Sequence, residues 1–368
     1  MKIAIVTGDD LLGDDPRQLC AALAARGHGA IAYVRQHGRR PAEMLPCVGD
    51  WAVTLERVWS SDRPDVVHAY GWVGGLAGQL AARRLRIPAV QTFQGLAATS
   101  GSRVGGGRES ERERIEPLLA RSATWVTVEC TADVDVLARW RHGRARVSNL
   151  GSGVDVERYS PVGPAVARSG LHRVLCLAPN PLWSNGFDIA IRALPWVMGA
   201  ELVVAETAAS DRGHDEARAR LERLAAELGV ADRVRFAGTV GDDELPMLMR
   251  SVDVVACTPR QPPRATSVLR AMASGVAVVA LPVGVLTDAV VDAVTGLVLS
   301  QHSPAAVAAA LRSLLAQSFQ CQSMGAAGRS RAVSRFTWDR IALDSLNIYR
   351  QLGPQRRVPP RLQSTDAR

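Results

Sequence analysis

The chain has 368 residues, of which 47% are apolar, and a formal net charge of +8; this length predicts two globular domains rather than one. Its basic residues are spread along the chain without a dense run or interleaved aromatics, which argues against nucleic acid as a partner. The opening MKIAIVTGDD is typical of a first strand rather than a signal peptide, and no apolar run reaches the roughly 20 residues of a membrane-spanning helix. We therefore expect a cytoplasmic protein, whose positive charge leaves peripheral association with an anionic membrane open.

Strands and helices alternate along the first half of the chain. The apolar runs KIAIVTG, AIAYV, DVVHAY, PAVQTF and ATWVTVEC, with a last strand near residues 145–150, are separated by segments with helical apolar spacing. Such alternation predicts a parallel sheet covered by helices on both faces, which is the α/β class. We expect a first Rossmann-like domain over residues 1–155.

The second half repeats this pattern after a segment rich in Gly, Pro and Ser that predicts a linker. The runs VLCLAP, AELVVAE, RVRFAG, VDVVACT and VAVVAL are the next strands, and PAAVAAALRSLLA is a helix. We expect a second Rossmann-like domain over residues 171–335, a C-terminal helix over 336–352 that packs across both domains, and a disordered tail over 353–368. Two such domains place the carboxyl ends of both sheets on one cleft, where ligands of open α/β sheets bind.

Neither a metal nor a cofactor is expected. The six cysteines are scattered, with no C-x-x-C pair and no His or Cys at metal-ligand spacing, so they are expected to be small apolar residues rather than disulfides. The loop between the first strand and the first helix contains Gly13, and the positive end of that helix is suited to a phosphate. Because no G-x-G-x-x-G or Walker motif is present, an ordinary turn explains this loop equally well.

A sharper candidate site lies in CTPRQPPRATSVLRAMASG, residues 257–275. The stretch predicts the end of a buried strand, a stiff loop and the start of a helix, and it carries three arginines but no carboxylate. Arg264 is placed to reach a diphosphate, and Thr266 and Ser267 offer hydroxyls and backbone N–H groups beside it. The alternative for Arg264 and Arg270 is a solvated or salt-bridged surface role.

Several phrases together resemble one known family. RPDVVHAYGW, GVDVERYSP, LAAELGVADRVRFAGTV and LRAMASGVAVVA are similar to the retaining, nucleotide-sugar-dependent glycosyltransferases of the two-domain GT-B type, in the branch of sucrose-phosphate synthase and the bacterial mannosyl- and glucosyltransferases. The resemblance runs from Lys2 to about Leu352 in unbroken order. It implies two Rossmann-like, doubly wound parallel-sheet domains that face each other across a cleft. The first domain would bind an acceptor, whose nature stays unknown, and the second a nucleoside diphosphate sugar as donor substrate.

The chain departs from this family at the positions that carry its chemistry. An arginine and a lysine that stabilise the departing diphosphate correspond to Asn180 and Asn185. Two glutamates near the donor sugar and the ribose correspond to Pro262 and Arg270, and a histidine near the transfer site corresponds to Gln94. The resemblance therefore predicts sugar transfer with a divergent, weak donor site and with the usual catalytic residues replaced. The alternative is a catalytically inactive relative that binds a ligand or a protein partner.

Two further interpretations stay open. Arg270 at the position of a ribose-binding acid favours a ligand with extra negative charge, such as a 2′-phosphate. Trp183, at a loop tip, is suited to stacking on a sugar or base, although packing in the core is the more common role of a tryptophan.

Overall fold

The computed structural model describes residues 1–8, 15–35, 45–99, 111–208 and 212–352. These residues form two six-stranded parallel sheets flanked by helices, so the predicted α/β class with two Rossmann-like sheets is confirmed. The predicted tail over 353–368 and the loop residue Gly13 lie outside the described residues. Within the described part of the chain, no helix is long and apolar enough to cross a membrane.

The first sheet has the strand order β2-β1-β3-β4-β5-β6. Its strands are β1 (Lys2–Thr7), β2 (Gly29–Val34), β3 (Val66–Tyr70), β4 (Ala89–Phe93), β5 (Trp125–Val128) and β6 (Val147–Asn149). The helices that follow them are α1 (Asp15–Ala25), α2 (Val48–Ser61), α3 (Gly71–Arg84), α4 (Glu111–Ser122) and α5 (Thr131–Trp140). The inner strands β3 and β4 are buried almost throughout, as expected for a sheet covered on both faces. Their buried residues include the polar His68, Gln91 and Thr92.

The second sheet has the order β12-β11-β10-β7-β8-β9. Its strands are β7 (His172–Ala178), β8 (Ala200–Glu206), β9 (Val234–Thr239), β10 (Val254–Cys257), β11 (Ala277–Ala280) and β12 (Gly296–Val298). The accompanying helices are α6 (Phe187–Ala193), α7 (Arg212–Glu227), α8 (Glu244–Met249), α9 (Thr266–Ala273), α10 (Leu286–Ala289) and α11 (Pro304–Ala316). Counted from its own first strand, this is the order of the dinucleotide-binding Rossmann fold.

Each sheet has one point at which the chain switches direction across the sheet. In the first sheet this point lies between β1 and β3, and in the second between β7 and β10. The loops leaving neighbouring strands there run to opposite faces and open a crevice between them. The fold therefore predicts a ligand site where the loops after these strands meet.

The last two helices of the described residues belong to different sheets. The first, α12 (Ser318–Arg335), was not predicted from the sequence and packs against α9 and β11 of the second sheet. The chain then crosses at Thr337, and α13 (Trp338–Arg350) packs on the first sheet, where Ile341, Leu346 and Tyr349 join its core. The crossing is held by the amide of Val154, which donates to the carbonyl of Phe336 at 2.7 Å.

Candidate functional site

The two switch points face each other across a cavity of about 420 Å³. The first sheet contributes Gln94, just after β4, and Asp15, in the first turn of α1. The second sheet contributes the loops that follow β7 and β10. Because both sets of strand ends open into one space, this cavity is the candidate ligand site.

The structure brings nearly all of the sequence-predicted site residues to this cavity. Those that line it are Gln94, Asn185, Pro262, Arg264, Thr266, Ser267 and Arg270. Asn180 adjoins it by a hydrogen bond from Asn185. The remaining candidate, Gly13, lies outside the described residues.

The loop after β7 is closed by its own asparagines. Nδ2 of Asn185 donates to the main-chain oxygen and to Oδ1 of Asn180 at 2.9 and 2.7 Å. The next residue, Gly186, has a φ of +68°, and a Cβ there would lie 1.8 Å from the carbonyl oxygen of Thr258, so only glycine fits. These asparagines therefore shape the loop and bring no positive charge to the cavity.

Trp183 and Arg260 stabilise the same loop from outside. The Arg260 guanidinium contacts the carboxylate of Asp188 at 2.5 and 2.7 Å and lies 4.8 Å from the ring centroid of Trp183. Trp183 is 60% exposed and is not among the residues that line the cavity. Of the two interpretations left open for this tryptophan, packing in the core is wrong, because the side chain stays largely exposed with the Arg260 guanidinium over its ring.

Pro262 fills the gap between the two halves of the molecule. A Cβ placed on Gly95, just after β4, would lie 3.5 Å from the Cβ of Pro262, and one placed on Gly284, after β11, would lie 2.8 Å from it. The proline is thus packed between two glycines that come from opposite sides of the cleft. Its side chain fills space at this point and offers no polar atom to a ligand.

The helix α9 begins at the cavity wall. Its N-cap, Ala265, is 2% exposed and offers no side-chain cap. Thr266 and Ser267 follow in the first turn and line the cavity. Since the first N–H groups of a helix have no partner within it and carry a partial positive charge, this helix start is suited to an anion.

An ion pair spans the cleft between α9 and α1. Nη2 of Arg264 lies 2.5 Å from Oδ2 of Asp15, and the two side chains are 12% and 20% exposed. Burial raises the pKa of the Asp15 carboxyl above its ordinary value, and the attraction of Arg264 opposes this. The pair places the charge of Arg264 against a carboxylate, as in the salt-bridged alternative, but it lies in the cleft rather than on the surface.

Glu129 is a buried carboxylate that sequence reasoning missed. It is 5% exposed and accepts hydrogen bonds from Nε2 of Gln94 at 3.0 Å and from Oγ of Ser152 at 2.5 Å. These bonds orient the Gln94 amide, whose Oε1 has no partner among the described residues. This oxygen is itself buried, so a ligand hydroxyl would reach it only after the side chains around it move. The signal available in the sequence was the acidic residue that closes the apolar run WVTVEC.

The whole architecture matches solved enzymes. The sucrose-phosphate synthase of Thermosynechococcus elongatus has the same fold, with a TM-score of 0.84 at 21% sequence identity over 96% of this chain and 99% of that chain. Two parallel Rossmann-like sheets that face each other across a cleft define the GT-B class, which confirms the fold expected from the resemblance.

Sequence comparison identifies the family. The protein-family model described as "Glycosyl transferase 4-like domain" matches residues 13–153. The family model described as "Glycosyl transferases group 1" matches residues 185–331. The D-inositol 3-phosphate glycosyltransferase of Xylanimonas cellulosilytica is 32% identical over 307 residues, which cover 79% of this chain and 73% of the relative. The chain therefore belongs to the group 1 glycosyltransferases. An enzyme with the same name from Salinispora tropica is 31% identical over 318 residues, which are 80% of this chain but only 65% of that relative.

Proposed function

We propose that this chain binds a nucleoside diphosphate sugar in the cleft and transfers the sugar to an acceptor hydroxyl, with retention of the anomeric configuration. The observation that carries the proposal is the start of α9, which opens into the cavity at the β7/β10 switch point with Thr266 and Ser267 in its first turn. Unpaired N–H groups and hydroxyls at a helix start bind phosphate oxygens well. Family membership supplies the reaction class.

In the proposed reaction, the bond between the anomeric carbon and the diphosphate oxygen breaks, and the diphosphate leaves with the bonding electron pair. The acceptor oxygen bonds to the same face of that carbon, and its proton passes to the departing phosphate oxygen. The contribution of the protein is to stabilise the negative charge that develops on the diphosphate. The start of α9 would do so, and Arg264, two residues before this helix, would add a positive charge once it leaves Asp15.

The donor site is expected to be weak for this chemistry. Asn180 and Asn185 are neutral and bonded to each other, and Arg264 is already paired with a carboxylate. Loss of a single preorganised donor costs about 10²- to 10³-fold in rate in well-studied sites. We therefore propose an enzyme whose turnover is slow relative to that of enzymes with two free cations at the positions of Asn180 and Asn185.

For the acceptor we propose an inositol phosphate or a similar phosphorylated polyol. The support is that relatives of the chain are named D-inositol 3-phosphate glycosyltransferases. Gln94 lines the first-sheet side of the cleft, where such a polyol would lie.

A second candidate function is that of a catalytically inactive homologue that binds a ligand or a protein partner. The observation that favours it is the loop after β7, where Asn180 and Asn185 satisfy each other rather than facing the cavity with charge. Such a protein would keep the fold and the nucleotide pocket and lose the turnover.

The decisive experiment separates binding from turnover. Thermal shift with uridine, guanosine and adenosine diphosphates and their sugars tests the pocket, and release of the diphosphate in the presence of myo-inositol 3-phosphate tests the reaction. The enzyme proposal expects both a shift and a slow release, with the product anomer matching the donor. A shift without release from any donor supports the inactive homologue, and neither a shift nor release contradicts both.

A matched pair of serine variants shows whether binding uses α9. Ser267→Ala, in the cavity, is expected to weaken diphosphate binding by about tenfold, as is typical for a hydrogen bond to a charged group. Ser330→Ala, on the exposed face of α12, is expected to leave binding unchanged. Equal affinities of the two variants would contradict a diphosphate at the start of α9.

A further inference from the structure

Arg270 lies on the cavity face of α9. It follows Ser267 by three residues and Thr266 by four, and all three side chains line the cavity. Residues at this spacing lie on one side of a helix, about one turn apart along its axis. Arg270 therefore occupies the same wall as the proposed diphosphate site, one turn further into the helix.

Arg270 has no ion-pair partner of its own within the described part of the chain: Asp15 attracts it at longer range, but the Asp15 carboxylate is paired with Arg264. No carboxylate there lies within 4.0 Å of its guanidinium, and no hydrogen bond from its side chain is found. The other arginines that line the cavity each face a carboxylate: Arg112 faces Glu116, Arg158 faces Asp243 and Arg264 faces Asp15. A half-buried guanidinium without a directly paired carboxylate is stabilised by an anion that reaches it.

The guanidinium is also held in place. Its central carbon lies 5.2 Å from the ring centroid of Tyr159, which is 4% exposed. The segment that carries this tyrosine is fixed to α9 by Arg329, whose Nη1 donates to the carbonyls of Val156, Tyr159 and Ala273 at 2.7, 2.8 and 2.7 Å. A guanidinium stacked on a rigid ring keeps its N–H groups at the edge available to a planar or tetrahedral anion.

We infer that Arg270, backed by Tyr159, is a second anion subsite of the cleft, which binds a phosphate or carboxylate other than the diphosphate. The two anion positions are separated along α9: the diphosphate at its first turn, and the additional group one turn later on the side of Tyr159. The additional group comes from the donor, on its ribose or its sugar, or from the acceptor. The inference rests on the proposed function, since it takes a nucleotide-sugar cleft as its setting.

The test compares ligands in pairs that differ by one anionic group, by calorimetric titration. The comparison of adenosine 2′,5′-bisphosphate with AMP tests for recognition of a ribose phosphate. The comparison of UDP-glucuronic acid with UDP-glucose tests for recognition of a sugar carboxylate. The comparison of myo-inositol 3-phosphate with myo-inositol, each with UDP present, tests for recognition of an acceptor phosphate. In at least one pair the charged member is expected to bind about tenfold more tightly, which is typical of a charge-assisted hydrogen bond. The pair that shows the preference identifies the source.

The variants assign that preference to Arg270. Arg270→Met is expected to remove the preference while the neutral member of the pair still binds, and Arg270→Lys to retain part of it. Arg235→Met, at an exposed arginine on the edge strand β9, is the matched control and is expected to retain it fully. Because the readout is a ratio within one variant, a change in the folded fraction does not produce it.

Three results would overturn the inference. The wild type could show no preference in any pair, or the preference could survive Arg270→Met. In the third result, Arg270→Met would weaken the binding of both members of each pair by the same factor. The last result would assign Arg270 to the diphosphate itself. In each of these cases nucleotides still bind to the wild type, so the proposed function stands. If the wild type binds no nucleotide, the proposed function fails, and the inference fails with it.

Discussion

Arg264 and Asp15 form an ion pair that joins the two sheets across the cleft, with 2.5 Å between Nη2 and Oδ2. Each partner comes from the first turn of a helix or from the loop just before one, where a ligand phosphate would otherwise be attracted. The carboxylate of Asp15 thus occupies part of the site that an anionic ligand would use. A diphosphate that reaches Arg264 must displace it.

Removal of this competition is expected to tighten nucleotide binding. Asp15→Asn keeps the shape of the side chain and removes its charge, so Arg264 becomes available to a diphosphate. We expect the Kd for UDP, measured by calorimetry, to fall by about tenfold. Asp344→Asn, which breaks an exposed pair with Arg340 on α13, is the control and should change nothing. An unchanged or higher Kd for Asp15→Asn would show that Arg264 does not bind the diphosphate.

The same substitution predicts a pH dependence of stability. The folded state raises the pKa of Asp15 above its ordinary value of 3.8, with burial as the main cause. The stability linked to the protonated carboxyl is therefore fully present below pH 3.8 and is lost as the pH rises through the folded pKa.

The amide introduced by Asp15→Asn does not titrate, so the melting temperature of this variant minus that of the wild type should increase as the pH is raised from 3.8 towards neutrality. Other carboxyl groups titrate in both proteins and cancel in the difference. A difference that stays constant or decreases over this range would contradict a raised pKa.

Positive charge in the loop after β7 is expected to strengthen the donor site. Asn185→Lys places an ammonium group at the cavity wall, where it would stabilise the diphosphate in the bound and departing states. Both the affinity for nucleoside diphosphates and the release rate should increase, by about tenfold or more. Asn347→Lys, on the exposed side of α13, adds the same charge elsewhere. If Asn185→Lys binds UDP no better than this control, the loop does not contact the diphosphate.

The first sheet is joined to α13 by a buried chain of hydrogen bonds. The hydroxyl of Tyr349 lies 2.6 Å from Nδ1 of His68, whose Nε2 lies 2.6 Å from Oγ1 of Thr92. Burial lowers the pKa of His68 to about 3, so the ring stays neutral and can donate through one nitrogen and accept through the other.

Tyr349→Phe removes one member of this chain and leaves a buried ring nitrogen without a partner. We expect the free energy of unfolding, from urea titration, to fall by about 1–3 kcal/mol. Tyr33→Phe removes a hydroxyl for which the described residues show no hydrogen bond, and its effect should be within about 0.5 kcal/mol of zero. Similar losses for both variants would mean that the Tyr349 hydroxyl is not bonded as described.

Two glycines with similar φ angles allow the cost of backbone strain to be measured separately from the cost of a steric clash. Gly186 and Gly229 have φ values of +68° and +66°, but a Cβ on Gly229 would meet nothing within 4 Å, whereas one on Gly186 would lie 1.8 Å from a carbonyl oxygen. Gly229→Ala is expected to cost about 1 kcal/mol. Gly186→Ala should cost more than about 3 kcal/mol, because the loops after β7 and β10 must move apart. Equal losses of stability for the two variants would show that these loops move apart at little cost in free energy.

Most strands of the two sheets were predictable from the sequence because a strand covered on both faces is largely apolar, although β12 was not predicted. β10 and β11, which read VVAC and AVVA, are examples, and all of their residues are buried. The helix α12 was not predicted, since Gly325 and Gly328 argue against a helix. In the structure, a Cβ on Gly325 would lie 2.0 Å from the carbonyl oxygen of Gly275. The glycine is therefore required by close packing between elements that are far apart in sequence.

The polar positions of the site also include some that could be predicted from the sequence and some that could not. Thr266, Ser267 and Arg270 lie in the helix that follows β10 after one loop, so their presence at a cleft could be inferred from local order along the chain. The partner of Arg264 could not, because Asp15 lies 249 residues away and meets it only when two independent sheets face each other. Glu129 was missed for a related reason: an acid at a strand end has no evident role until Gln94 and Ser152 are seen to bond to it.

The position of α13 has a consequence for the order in which the protein is made. The core of the first sheet contains Leu19 and Val66, which precede the second sheet in the chain, and also Tyr349, which follows it and is fully buried. During synthesis, the strands of the first sheet therefore precede the second sheet, but their hydrophobic core is completed only after the second sheet has been made. Until α13 is made, the first sheet exposes apolar surface.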